Sequence, residues 1–161
     1  MMTALGAVAS PPASAAATAA DAPPPCRGEQ LAAGGAERVG ADVVQVTLVN
    51  QGPAPCVLRG YPSVAVAGQG APDRARALAV IREGPAYPVE LEAGAAARTR
   101  IAFTPVLGEA DGYCASGAEP LAAPSVVIGA ADAHLQLAPD DGGTFALGGD
   151  TVRATAFRPP S

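Results

Sequence analysis

Glycine or proline interrupts almost every segment of this sequence. Such punctuation leaves little room for a long helix, because glycine loses the most backbone freedom on ordering and proline lacks the N–H that a helix interior needs. The chain holds 19 Gly and 17 Pro in 161 residues, together approaching a quarter of it. Between the interruptions the hydrophobic period is two. In "DVVQVTLVN" (42–50), Val44, Val46 and Leu48 share one face while Gln45 and Thr47 share the other, the pattern of a half-buried strand. "CVLRGYPSVAVAG" points Cys56 and Leu58 inward and Val57 and Arg59 outward; Gly60–Pro62 breaks the run, and Val64 and Val66 resume the inward set. Further short runs stand at 77–81, 87–92, 98–103, 124–130, 133–138 and 151–157. A helix is expected at most over 71–79, where "APDRARALA" has the local propensity.

Seven or eight short strands separated by turn residues predict an all-β fold, an antiparallel β-sandwich of immunoglobulin-like type. Its expected core is Val44, Val46, Leu48, Leu58, Val64, Val66, Leu91, Ile101, Phe103, Val127, Leu135, Leu137 and Val152. A length of 161 residues suits one domain, placed over 26–158. Ahead of it, residues 1–25 are low-complexity, with fifteen Ala or Pro. They read as a disordered linker carrying the remnant of an export signal, since "ASA" (13–15) and "ADA" (20–22) have the small-x-small form of a cleavage site. The competing reading is a cytosolic Ala/Pro-rich extension. "PPPC" before Cys26 is no lipobox, and no run reaches the ~18 apolar residues of a membrane span. The expected location is therefore secreted or cell envelope, with no transmembrane segment.

Charge narrows the function. The chain carries a net charge of −5 from 15 acids and ten arginines, with no lysine. An acidic chain without a basic cluster makes a poor partner for nucleic acid. The missing lysine also removes a phosphate-loop lysine and any lysine Schiff base.

Three cysteines are present: Cys26, Cys56 and Cys114. There is no C-x-x-C and the sole histidine is His134, so neither a zinc site nor a cysteine–histidine pair is expected. No cofactor or metal is expected. In an exported chain paired cysteines are by default a disulfide. Cys26 precedes the first strand and Cys56 opens the third, so their closure needs only local topology. It would stabilise by roughly 3–4 kcal/mol in the chain-entropy model. Cys114 is left over.

The segments "CRGEQL", "VNQGPAPCVLRGYPSVAV", "YPVELEAGAAARTRIAF" and "TVRATAFRP" together resemble one family, the domain of unknown function 4232. The most specific block is N-x-G…P-C-x-L-x-G-Y-P, met by Asn50, Gly52, Pro55, Cys56, Leu58, Gly60, Tyr61 and Pro62. The resemblance spans about 26–158 and implies an exported or lipid-anchored β-sandwich, found mostly in high-GC actinobacteria, with no established activity. It also implies four cysteines. The fourth would fall near 145–149, where this chain reads "FALGG", so the resemblance leaves Cys114 as a free thiol.

The remaining constellations have plain readings. Glu90 and Glu92 on one outward face and Arg98 and Arg100 on the next predict a hairpin of crossed charges. "APDDGG" with Asp150 lacks the spacing of a calcium loop and reads as a turn. Tyr61 before Pro62 raises the chance of a cis bond, and its ring is expected to pack an edge of the sandwich, with an exposed binding aromatic as the alternative. The expected function is an exported, non-enzymatic binding or structural module whose partner is an envelope or extracellular protein or glycan. The alternative is an envelope-acting hydrolase using surface carboxylates, for which a pocket lined by two or more of Glu83, Glu109, Asp111 and Glu119 would speak.

Overall fold

The computed structural model describes residues 22–67, 75–104 and 121–160. A single 3-10 turn, Gly28–Gln30, leads into strands β1 (Leu31–Arg38), β2 (Val43–Asn50), β3 (Cys56–Leu58), β4 (Ser63–Ala67), β5 (Arg76–Ala77) and β6 (Ala79–Glu83). There follow β7 (Val89–Leu91), β8 (Ala96–Phe103), β9 (Leu121–Ala123), β10 (Ser125–Ala130), β11 (Ala133–Leu137), β12 (Phe145–Leu147) and β13 (Thr151–Thr155). Among the described residues every regular element beyond that turn is a strand. A five-stranded sheet runs β1-β2-β8-β13-β6 and a four-stranded sheet runs β11-β10-β4-β5, with two-stranded ladders β12–β9 and β3–β7. Among the described residues the named ladders are antiparallel except that of β13 with β6.

The period-two pattern becomes one core. Val44, Val46 and Leu48 of β2 and Ile101 and Phe103 of β8 turn inward to meet Val64, Val66, Val126 and Ile128 from the four-stranded sheet. Phe145 is wholly buried and its ring lies 5.5 Å from that of Phe103, centre to centre. Each Val, Leu or Ile so buried is worth roughly 1.5–3 kcal/mol before the entropy of ordering is subtracted.

Four sequence expectations are corrected. The segment given helical propensity over 71–79 is extended wherever it is described. Leu78 N–H donates to Val64 O and Ala79 N–H to Asp150 O, so pairing overrides local propensity, while residues 71–74 lie outside the described residues. In β10 the core positions are Val126 and Ile128; Val127 is buried on the opposite face, beside Ala65 and Gln136. Leu135 is only partly buried against the core. Thirteen strands are described where seven or eight were expected, because ladders of two or three residues are too short to show alternation.

Candidate functional site: an arginine groove beside an exposed tyrosine

The motif residues form the frame on which a surface site is built. Asn50 is fully buried at the end of β2. Its Nδ2 donates to Ala54 O (2.9 Å) and Leu91 O (3.0 Å), and its Oδ1 accepts from Gly52 N–H (2.9 Å). One carboxamide thus shapes the 50–55 turn and ties it to β7. Gly52 is tight, since a Cβ there would come 3.2 Å from Gln30 Cγ. Pro55 leads into β3, where Cys56 and Leu58 are core residues. A disulfide joins Cys26 to Cys56, with Cα atoms 4.7 Å apart. Beside it Cys26 N–H donates to Val57 O and Val57 N–H to Pro24 O, so residues 24–26 lie parallel to β3. Cys114, the expected free thiol, lies outside the described residues.

Gly60 takes a positive φ of +83°, a conformation that disfavours a side chain, and its carbonyl accepts the Phe157 N–H. The Tyr61–Pro62 bond is trans, as are all described peptide bonds, and Pro62 is buried. Tyr61 is not the exposed aromatic. Its hydroxyl donates to Gly84 O, and the Arg82 guanidinium sits 5.3 Å from its ring centre. Tyr61 therefore fixes the start of the loop over 84–88, and that loop presents Tyr87, which is 69% exposed. With Pro85, Pro88, Val89, Phe157 and Arg158, Tyr87 lines a hollow of about 580 Å³.

The predicted hairpin of crossed charges does not form. β7 pairs with β3, placing Glu90 opposite Val57, whereas β8 pairs with β2 and β13. Arg98 and Arg100 instead stand on the outward face of the five-stranded sheet, opposite Thr47 and Gln45. Beyond β13 the chain returns to β8: Arg98 N–H donates to Arg158 O and Arg158 N–H to Arg98 O, which sets these two arginines side by side. Gln45, Arg98, Arg100, Thr155, Arg158 and Pro159 enclose a groove of about 330 Å³. Arg98 Nε is shut off from solvent and has no acceptor among the described residues. Arg158 and Pro159 also border the Tyr87 hollow, so the two depressions are contiguous.

The acids are engaged elsewhere. Asp140 Oδ1 accepts Ala36 N–H, just past the bulge where Gly35 has φ +145°, and so clips the 139–142 turn onto the edge strand β1. Asp141 binds Arg38 Nε at 2.8 Å and accepts Gly143 N–H, so "APDDGG" is the expected turn. Glu83 lies 3.9 Å from Arg153, and Glu90 and Glu92 are exposed; Glu109, Asp111 and Glu119 lie outside the described residues. His134 is exposed, opposite Gly129. Among the described residues no helix is long and apolar enough to cross a membrane.

The Arg38 hydrogen bond, followed by that from Gly143, holds the Asp141 carboxyl below its ordinary range. A group whose pKa is lower folded than unfolded contributes stability above its unfolded pKa and loses it as pH falls through the folded value. Asp141→Asn is therefore expected to destabilise the protein slightly near neutral pH, with a gap from wild type that closes on acidification. Urea midpoints across the acid range check this, and a gap independent of pH would exclude the ion pair as its source.

Against known proteins, the model of the family described as a domain of unknown function (DUF4232) matches residues 26–158, the span that carries every described strand. No curated protein and no solved structure matches the chain.

Proposed function

The chain belongs to the family of the domain of unknown function DUF4232, and from that premise we propose that it is an exported, non-enzymatic binding module of the cell envelope or extracellular space. The observation that carries the reading is Tyr87. An aromatic side chain 69% exposed is held on a proline-flanked loop whose first residue is pinned by Tyr61, and it borders a concave hollow of about 580 Å³. Ligand sites are typically concavities lined by apolar and aromatic groups with a few polar ones to orient the ligand. A tyrosine contributes large contact area while giving up few torsions. Export is supported by the buried Cys26–Cys56 disulfide, since such bonds persist in oxidising compartments.

Two measurements test the reading. N-terminal sequencing of protein recovered from culture medium is expected to begin between Ala16 and Pro25; recovery only from cytosol with Met1 intact would refute export. Tyr87→Ala is expected to lower retention on isolated envelope material by about tenfold at unchanged thermal stability, the scale of one lost aromatic anchor. Full retention by that variant would refute the binding surface.

A further inference from the structure

We propose that the groove of Arg98, Arg100 and Arg158 is an oxyanion subsite, and that the ligand spanning it and the Tyr87 hollow is a saccharide carrying a carboxylate or phosphate. This rests on the binding-module reading and specifies its ligand class. The chain carries a net charge of −5, yet three arginines line one groove. Among the described residues none of the three has a carboxylate within ion-pair distance; the ion pairs found there are Arg27 with Glu29, Arg38 with Asp141 and Arg153 with Glu83. The acids nearest in the sheet are Glu83, which is turned to Arg153, and Glu37, which stands beyond Gln45 on β1.

The groove is rich in donors. Arg98 Nε is buried without an acceptor among the described residues, so the cost of burying that ionised N–H is not recovered there and favours negative charge nearby. The Thr155 hydroxyl oxygen already accepts Arg100 N–H (3.0 Å), which leaves its own proton to donate. Planar guanidinium forks bind two oxygens of a carboxylate or phosphate at a time. A ligand with acceptors and no protons to offer, an oxyanion, matches the guanidinium forks and the Thr155 hydroxyl together.

The neighbouring hollow says what the anion is attached to. It shares Arg158 and Pro159 with the groove and presents the Tyr87 ring between prolines, a surface for the apolar face of a sugar ring. An acidic peptide fits less well. β8 is paired on both sides, by β2 and β13, so the groove offers no free ladder to an extended backbone. A nucleic acid would meet an acidic protein at every point beyond the groove.

The test is calorimetric titration of the full chain with tetragalacturonate, its uncharged methyl ester, glucose 6-phosphate, inorganic phosphate and hexaglutamate. At least one charged sugar is expected to bind, and which one separates the carboxylate from the phosphate source; the methyl ester is expected to bind at least about tenfold more weakly than the acid. Arg98→Lys keeps the stem and the charge but loses the fork, and should weaken the charged sugar by about tenfold; the exposed Arg100→Ala should do likewise. Tyr87→Ala should weaken the sugars and leave inorganic phosphate unchanged. The proposal is overturned if acid and ester bind alike, if neither charged sugar binds, if the arginine variants bind as wild type does, or if hexaglutamate binds more tightly than any sugar. Envelope retention that depends on Tyr87 but not on the arginines would remove this subsite and leave the binding module standing. Retention independent of Tyr87 would remove both.

Discussion

Asn50→Ala is expected to lower the stability of the domain by about 3 kcal/mol, since it deletes three hydrogen bonds worth roughly 1 kcal/mol each, one of them to the buried Leu91. The side chain is fully buried, and its loss leaves Ala54 O, Leu91 O and Gly52 N–H without their partner. For a domain whose total stability is of order 5–15 kcal/mol, that is a large share. Asn50→Asp gives the sharper comparison. It keeps an acceptor for Gly52 N–H but turns carboxylate oxygens toward two carbonyls, so near neutral pH it should be at least as damaging as alanine. Acidification should then recover part of the loss, because the protonated carboxyl can donate once. Urea unfolding of both variants against pH reads this directly. A loss below about 1 kcal/mol for Asn50→Ala would show that water replaces the carboxamide.

The double variant Cys26→Ala/Cys56→Ala is expected to lose about 3–4 kcal/mol, the closure entropy of a loop between cysteines 30 residues apart. Reductant should lower the midpoint of the wild type to near that of the variant and leave the variant unmoved. Equal midpoints for the two proteins without reductant would exclude the staple as a source of stability. The size of the effect follows from what the bond holds. It presses residues 24–26 against β3 through only two backbone hydrogen bonds, too few to fix a chain end unaided.

Legibility in the sequence tracks element length. Strands β2, β8, β11 and β13 are long enough for their alternation to show, and Val44, Val46, Leu48 and Ile101 are buried where that alternation puts them. β1 gives no such signal, because "LAAGGAER" carries a bulge at Gly35 and few large side chains to alternate. The pairing of β7 was misread for a physical reason. "AGAAA" looks like a hairpin connection, but a Gly94 turn takes the chain from the β3–β7 ladder into the five-stranded sheet, and β7 closes on β3 instead. The arginine groove was hidden for the same cause. Arg98 and Arg158 are 60 positions apart, and only the bridge after β13 brings them together. Tyr61 packs an edge of the fold as expected, with its hydroxyl on Gly84 O, whereas the exposure of Tyr87 has no mark in the sequence, because it depends on which tyrosine the fold covers. The motif block was read for family membership, yet its residues build the frame rather than the surface.

The Cys26–Cys56 link also fixes how the domain bears a mechanical load. Tension applied along residues 1–25 arrives at Cys26 and crosses the sulfur–sulfur bond to Cys56, bypassing residues 27–55 entirely. β1 and β2, which pair with each other and hold the outer part of the five-stranded sheet, lie inside that covalent loop and feel no pull from the N-terminal end. Stretched from its two termini, the oxidised protein can lengthen only by what lies outside the loop. The reduced protein would also gain residues 27–55 at up to about 3.3–3.6 Å each, a step in contour length that single-molecule pulling can resolve.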